Sequence, residues 1–448
     1  MKGMRAALRV IGVAAAIAAT SIVFAAGASA TTIERVTSAG GIEAWLVHER
    51  AVPLIAVEFA FAGGAVQDSA GKAGTAALTA SLLDSGAGDL DSSAFSDRLE
   101  RKAIQMSFSA QRDTIQGTMR TLTENRDEAF ELLRLALTAP RFDAKDVEIS
   151  RAQILSLLRR ETTSPTDIAN RRWWETAFEG HPYGRPINGT AETVASVSIA
   201  DLKSYAHRVL ARQNLKIAVV GDIDAETLKV LLDRTFGSLP EKPELFAIAN
   251  VAPRGLGRRI EVSLDVPQTV VDFGGPGIPR QDPDFMAAYL VNHILGGGSS
   301  DSRLYQEVRE KRGLAYSVSD NLVWLDHAAV LLGGTATRAD RAGETVDLIE
   351  QEIHHFADSG PTAGELTEAK RYLNSAFALN LDSSTKIAGL LVQLQLDGFG
   401  TDYFTRRSAM IEAVTLDDAR RVAKRLLDKG LLVTVVGKPH GFASSKPN

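Results

Sequence analysis

Arg309 and Tyr316 carry the spacing most suggestive of chemistry in this chain, within "LGGGSSDSRLYQEVREKRGLAYSV" (Leu295–Val318). A helix is predicted to run through Arg309 to about residue 312, and Gly313 is predicted to end it in the left-handed conformation. The strand that follows would bring Tyr316 back beside the last helical turn. A guanidinium and a phenol so placed are fixed donors for a peptide carbonyl or a developing oxyanion. The alternative is a surface arginine beside a half-buried tyrosine of a sheet.

Gly296, Gly297 and Gly298 open the same stretch and first suggest a phosphate-binding loop. A phosphate loop follows a strand and ends in Gly-Lys-Ser/Thr, whereas these glycines follow a helix-like segment and no such lysine is present. They are therefore predicted to connect two helices. Asp301 or Ser302 is predicted to cap the second of these helices.

The composition excludes several classes of protein. The 448 residues include 50 basic and 55 acidic side chains and no cysteine. No basic block interleaved with aromatic residues is present, which argues against a nucleic-acid partner. Without disulfides, stability must come from burial, and a hydrophobic content of 45% is sufficient for two domains.

Residues 1–30 have the pattern of an export signal. Three basic residues precede the apolar run Val10–Ala26, and Ala28-Ser29-Ala30 is a small-x-small cleavage pattern. A membrane anchor is the alternative, but the run is short for a span and no stop-transfer charges follow it. We expect cleavage near Thr31, no remaining anchor and a periplasmic location.

The rest of the chain contains a weak internal duplication. "LKIAVVGDIDAETL" (Leu215–Leu228) and "LLVTVVGKP" (Leu431–Pro439) are buried-strand runs closed by glycine, and each follows an amphipathic helix. Two strand-like runs also open each half, so strands cluster around helical segments, which predicts an α+β fold rather than a doubly wound sheet. The predicted organisation is a signal peptide (1–30), an N-terminal domain (31–240), a linker (241–257), a homologous C-terminal domain (258–440) and a tail (441–448).

The stretch that contains Arg309 and Tyr316 resembles the C-terminal-domain signature of the pitrilysin and mitochondrial processing peptidase family, zinc peptidases with an inverted H-x-x-E-H motif. The likeness runs in order along the mature chain. It is carried also by "HPYGRPINGTAETV" (His181–Val194), "NLKIAVVGDID" (Asn214–Asp224) and "APRFDAKDVEISRAQIL" (Ala139–Leu155). The resemblance implies two homologous domains, each a mainly antiparallel sheet packed against helices, which together form half of a clam-like chamber.

The zinc motif of this family is missing. Active members bind zinc through two histidines four residues apart on one helix and a glutamate on a later helix, and a second glutamate is the general base. The matching stretch here is "GTAALTASLLDSGAG" (Gly74–Gly88). The histidine positions hold Ala77 and Ser81, the base position holds Ala80, and the third-ligand position holds Leu157.

The histidines elsewhere do not rebuild the site. None of the eight forms an H-x-x-H or H-x-x-x-H pair: His48, His181, His207, His293, His327, His354, His355 and His440. The adjacent pair His354-His355 would point about 100° apart on a helix, which is poor geometry for one metal. We therefore expect no catalytic zinc and no other cofactor in this chain.

The resemblance then implies the zinc-free subunit of a heterodimeric metalloendopeptidase. A homologous partner with H-x-x-E-H would hold the zinc, and Arg309 and Tyr316 would reach across to a peptide substrate. In non-catalytic subunits of the family, the glycine-rich loop corresponding to residues 296–298 contacts substrate. Two alternatives are a structural or peptide-binding protein without proteolysis and, third, a self-sufficient peptidase with a relocated metal.

Overall fold

The structure is a computed structural model that describes residues 32–297, 300–379 and 381–445. Two sheets, each packed against helices, organise the described residues and confirm the predicted α+β class. The elements of the first half are β1 (Ile33–Thr37), β2 (Glu43–His48), β3 (Leu54–Ala62), α1 (Thr75–Ala80), α2 (Ser92–Arg101), β4 (Gln105–Ala110), β5 (Thr114–Leu122), α3 (Arg126–Thr138), α4 (Ala144–Glu161), α5 (Pro165–Ala177), α6 (Ala191–Ser196), α7 (Ile199–Val209), β6 (Leu215–Gly221) and α8 (Ala225–Phe236).

The second half repeats this arrangement after a stretch without helix or strand between residues 237 and 258. Its elements are β7 (Arg259–Ser263), β8 (Gln268–Pro276), α9 (Phe285–Leu295), a π-helix (Tyr305–Glu310), β9 (Ala315–Trp324), β10 (Ala329–Arg338), α10 (Ala342–Ser359), α11 (Ala363–Leu379), α12 (Ser384–Leu396), α13 (Tyr403–Glu412), α14 (Leu416–Leu427) and β11 (Leu432–Gly437).

The strand orders show the duplication directly. The first sheet has the order β1-β2-β6-β3-β5-β4 and the second β7-β11-β8-β10-β9. The last strand of each half, β6 or β11, pairs parallel with an early strand, β2 or β7, and antiparallel with the next, β3 or β8. Four further strand pairs, β3–β5, β4–β5, β8–β10 and β9–β10, are antiparallel. Each half therefore carries a mainly antiparallel sheet, as predicted.

The two halves exchange helices. Helix α5 packs on β8 and β11 of the second sheet, and Trp173, fully buried, donates its indole N–H to the carbonyl of Leu432 at 3.1 Å. Helix α12 packs on β3 and β6 of the first sheet, and Gln395 donates to the carbonyl of Ile217 at 2.9 Å. Each half thus completes the hydrophobic layer of the other.

A buried hydrogen-bond cluster also joins the turns β4–β5 and β9–β10. Tyr183 donates its hydroxyl to Asp113 at 2.7 Å and accepts the backbone N–H of His327 at 3.0 Å. The second carboxylate oxygen of Asp113 accepts the backbone N–H of Asp326 at 3.1 Å. Burial raises the pKa of Asp113. The cluster connects the two sheets at the ends of these hairpins.

The proposed signal peptide, residues 1–30, lies outside the described residues. Among the residues that are described, no helix combines the length and the apolar character needed to span a bilayer.

Candidate functional site

Helix α1 corresponds to the zinc-binding helix, and a buried carboxylate holds its start. Gly74 precedes the helix with a φ of +96°, in the left-handed region. Asp68 accepts the backbone N–H of Gly74 at 2.7 Å and that of Ala76 at 2.9 Å. These bonds satisfy donors that a helix N-terminus leaves without intrahelical partners. Helix α1 is therefore positioned by backbone contacts that require no metal.

The degenerate ligand positions lie on α1, directly after α1 and on the contacting helix α4. Ser81 directly follows α1, and its backbone N–H bonds to the carbonyl of Ala77 at 3.0 Å, so the two side chains lie one turn apart. Leu157 belongs to α4, which contacts α1, and Ala80 is buried. The hydroxyl of Ser81 donates to the carbonyl of Leu78 at 3.0 Å. A methyl, a hydroxymethyl and an isobutyl group cannot bind zinc.

No metal site replaces it within residues 32–297, 300–379 and 381–445. No three His, Cys, Asp or Glu side chains in these ranges are grouped so that they could hold a metal ion. The residues present do not fit the zinc ion that the fold family uses.

The glycine turn makes a close contact with strand β9. The backbone N–H groups of Gly296 and Gly297 both bond to the carbonyl of Asn292 at 3.0 Å, and the carbonyl of Gly296 accepts the N–H of Asp320 at 3.0 Å. A Cβ on Gly296 would lie 2.8 Å from a carboxyl oxygen of Asp320. Gly298 lies outside the described residues. Gly296 therefore permits close packing over β9, whereas Gly297 packs closely on the last turn of α9.

Asp320 supports this turn from within the core and was not found from the sequence. It is fully buried, and burial raises the pKa of its carboxyl well above the ordinary value. Asn292 donates to one carboxyl oxygen at 2.6 Å, and the other has no partner among the described residues. A protonated, neutral Asp320 fits these surroundings.

The helix after the turn differs from the predicted one. Its central residues, Tyr305–Glu310, form a π-helix rather than an α-helix. The predicted cap by Ser302 is wrong, because its hydroxyl is buried without a hydrogen-bond partner, and only its carbonyl contacts the helix by accepting the N–H of Gln306 at 3.0 Å. The predicted end at Gly313 is confirmed by a φ of +59°. π-Helical turns are rare and frequently occur at functional sites.

The structure brings Arg309 and Tyr316 together. The guanidinium carbon lies 4.6 Å from the centre of the Tyr316 ring. Tyr316 is 80% exposed rather than half-buried, and the Arg309 side chain is 33% exposed. In the described part of the chain, neither the Tyr316 hydroxyl nor the Nη2 nitrogen of Arg309 has a hydrogen-bond partner. The pair thus presents two open donors on one surface.

A third residue, Tyr305, contacts the same guanidinium. Nη1 of Arg309 donates to the Tyr305 hydroxyl, and the guanidinium carbon lies 4.8 Å from the Tyr305 ring centre. The sequence prediction overlooked Tyr305. The sequence did contain one indication of this contact. Tyr305 lies four residues before Arg309, and residues four apart are neighbours on a helix.

Comparison with known proteins identifies the family of this chain. Residues 46–191 match the model described as Insulinase (Peptidase family M16), and residues 196–373 match the model described as Peptidase M16 inactive domain. An uncharacterized zinc protease of Mycobacterium tuberculosis is 30% identical over 326 residues, which are 71% of this chain and 73% of the relative. The chain belongs to peptidase family M16.

Other M16-related proteins extend the comparison. The non-peptidase homolog YmxG of Helicobacter pylori is 26% identical over 328 residues, 72% of this chain and 74% of the relative. The crystal structure of a peptidase M16 inactive domain from Pseudomonas fluorescens has a TM-score of 0.85 at 25% identity and covers 93% of this chain and 99% of that one. A Helicobacter pylori protease structure has a TM-score of 0.81 at 21% identity, with 91% and 99% covered, and shows the same fold.

Proposed function

We propose that this M16 chain is the zinc-free subunit of a heterodimeric metalloendopeptidase. In this proposal it supplies Arg309 and Tyr316 to a zinc site held by a homologous H-x-x-E-H partner. The observation that carries the proposal is the contrast within one chain. Arg309 and Tyr316 present exposed donors, and the guanidinium carbon lies 4.6 Å from the ring centre. The ligand positions Ala77, Ser81 and Leu157, by contrast, hold no metal ligand.

The chemistry assigned to this chain is substrate binding and charge stabilisation. The free Nη2 edge of Arg309 and the hydroxyl of Tyr316 would donate to the carbonyl at the cleaved bond. Their donation would strengthen as negative charge develops on that oxygen. Zinc in the partner would supply the activated water. The turn at residues 296–298 would add backbone contacts to the peptide.

The relatives support this proposal. A Helicobacter pylori relative is named a non-peptidase homolog, which fits a chain without zinc ligands. A mycobacterial relative is named a zinc protease, so the family context is proteolytic. We also propose that residues 1–30 direct export and that the heterodimer acts in the periplasm.

The test is reconstitution with an M16 homologue that contains H-x-x-E-H, followed by hydrolysis of a quenched fluorogenic peptide. Removing one oxyanion donor typically costs about two orders of magnitude in kcat. We expect losses of about this size for Arg309→Ala and for Tyr316→Phe in this chain. Thermal unfolding of the variants should be unchanged, because both side chains are at least partly exposed.

Matched controls come from the same half of the chain. Tyr372→Phe changes another exposed tyrosine, which lies against His293, and Arg338→Ala changes an exposed arginine paired with Asp340. Both controls should retain full activity. The proposal is wrong if Arg309→Ala and Tyr316→Phe behave like these controls, or if the partner alone is as active as the mixture.

A second candidate function is peptide binding without hydrolysis. It is favoured by the same exposed donor pair in a chain that lacks metal ligands. In that case the two variants would weaken binding of a labelled peptide to this chain alone, as measured by fluorescence anisotropy. Hydrolysis by every M16 homologue tested as partner would be independent of this chain.

A further inference from the structure

The guanidinium of Arg309 is held by the side chain of Tyr305. Its Nη1 group donates to the hydroxyl of Tyr305, and its guanidinium lies 4.8 Å from the Tyr305 ring centre. The nearest carboxylate, Glu310, lies 3.7 Å from Nε, which is too long for a hydrogen bond. Tyr305 is therefore the hydrogen-bond acceptor that orients this guanidinium within the described residues.

A long side chain that is one-third exposed needs such an orienting contact. An unconstrained arginine samples many rotamers, and fixing it costs conformational entropy. Contacts with the faces of two tyrosine rings, together with one charge-assisted hydrogen bond, limit this freedom before substrate arrives. The hydrogen bond uses Nη1 and leaves Nη2 available for a ligand.

The π-helical turn places the two residues in register. The N–H of Lys311 bonds to the carbonyl of Gln306, five residues earlier, at 2.9 Å. A turn of this kind stacks residues four and five apart, so Arg309 lies above Tyr305 on one side of the helix. The chain then reverses at Gly313, and Tyr316 reaches the guanidinium from strand β9.

We propose that Tyr305 is a positioning residue that presets Arg309 beside Tyr316. It acts through Arg309 and does not itself touch the peptide. The inference rests on the proposed function for its effect on catalysis, but the orientation of Arg309 can be measured without it.

The first measurement uses this chain alone. Arginine-selective ¹⁵N labelling reports the Nε–H signal of Arg309, assigned by its loss in Arg309→Ala. In Tyr305→Phe the ring remains but the acceptor is lost, so this signal should shift and its exchange with solvent should accelerate. Tyr372→Phe is the control and should leave the signal in place. An unchanged signal in Tyr305→Phe would overturn the proposal.

The second measurement is a double-mutant cycle in the reconstituted peptidase. Loss of a hydrogen bond to a charged group corresponds to about a tenfold fall in rate. Tyr305→Phe should lower kcat by about tenfold with little change in KM, because the interaction matters most when charge develops. In the Arg309→Ala background it should cause no further loss. An equal loss in both backgrounds would show that Tyr305 does not act through Arg309.

The NMR signal and the double-mutant cycle together distinguish failure of the proposed function from failure of the positioning role of Tyr305. If Arg309→Ala leaves hydrolysis unchanged, the proposed function fails, while the arginine signal still decides whether Tyr305 positions Arg309. If Arg309→Ala abolishes hydrolysis but Tyr305→Phe changes neither the signal nor the rate, only the positioning role is lost.

Discussion

Helix α1 and the π-helix–β9 segment of this M16 chain hold the two groups of residues that the sequence singled out for chemistry, and the two regions differ in the groups that they offer. Both stand on a buried aspartate, Asp68 under α1 and Asp320 under the glycine turn. Helix α1 retains its position but has lost its ligands, whereas the second region retains open donors on Arg309 and Tyr316. The difference teaches that hydrogen bonds from the backbone to the Asp68 carboxyl group hold the start of α1, so zinc ligands can be absent from this helix without loss of the fold.

The largest expected effect comes from restoring metal ligands to α1. Ala77→His, Ser81→His and Leu157→Glu, combined in one variant, would place two imidazoles one turn apart and a carboxylate on the contacting helix α4. We expect this variant to bind zinc. Binding should stabilise the fold by about 4 kcal/mol when free zinc is a thousand times Kd.

Metal analysis after dialysis and thermal unfolding with and without zinc are the measurements. Ala80 is left unchanged, because it is buried and a glutamate there would place a charge in the core. Ala77→His alone is the control and should bind no stoichiometric zinc. Failure of the triple variant to bind zinc would mean that α1 and α4 are no longer placed as a ligand site.

The glycines beside the two aspartates should differ in their tolerance of a side chain. In Gly74→Ala, the new Cβ would lie 2.8 Å from the carbonyl oxygen of Asn188, and the alanine backbone would have to keep the left-handed φ of Gly74. Together these predict a loss of about 2–3 kcal/mol in the free energy of unfolding. In Gly296→Ala, the new Cβ would lie 2.8 Å from a side-chain oxygen of Asp320, but φ is negative, at −156°, which predicts a smaller loss of about 1–2 kcal/mol. Chemical denaturation of both variants gives the comparison, and equal or reversed losses would contradict it.

The smallest expected effects come from the aspartates themselves, and burial raises the pKa of both carboxyl groups, to about 7 for Asp68 and well above the ordinary value for Asp320. Asp68→Asn replaces one of the two carboxyl oxygens that accept backbone N–H groups with an amide donor, and it should cost about 1–2 kcal/mol. Asp320→Asn replaces a neutral group with another and should cost less than about 1 kcal/mol near neutral pH.

The sign of the pH effect follows from the raised pKa of Asp320. Between the ordinary pKa of 3.8 and the higher folded-state pKa, the folded chain binds a proton that the unfolded chain does not. Its contribution therefore makes the free energy of unfolding fall as pH rises through this window. Asp320→Asn should remove this part of the slope, and denaturation at several pH values checks it. An unchanged slope would show that Asp320 is ionised in the fold.

The sequence predicted the repeated halves and the neighbourhood of Arg309 and Tyr316, because these depend on local patterns. The glycine-closed runs became β6 and β11, and Gly313 ended the helix as its φ preference predicts. The absence of zinc ligands was readable from the sequence once the resemblance to the family had located the ligand positions.

The remaining features depend on contacts distant in sequence. The π-helical hydrogen-bond pattern of Tyr305–Glu310 depends on how the segment packs against the rest of the fold. The amphipathic sequence pattern by itself predicts an α-helix. Asp320 lies in a strand whose neighbours include the glycine turn, and no sequence pattern shows that its carboxyl is buried. The exchange of α5 and α12 between sheets likewise cannot be read from either half alone.

The exchange of α5 and α12 between the two sheets limits how far the sheets can move relative to each other. Swinging one sheet away from the other would pull the indole of Trp173 out of a fully buried position and break its bond to Leu432. Such internal bending is costly, so we expect the chain to move as one stiff arm. In the heterodimer proposed above, any hinge that admits a peptide would then lie at the contact between the two subunits, and mutations at that contact would change turnover while leaving both sheets intact.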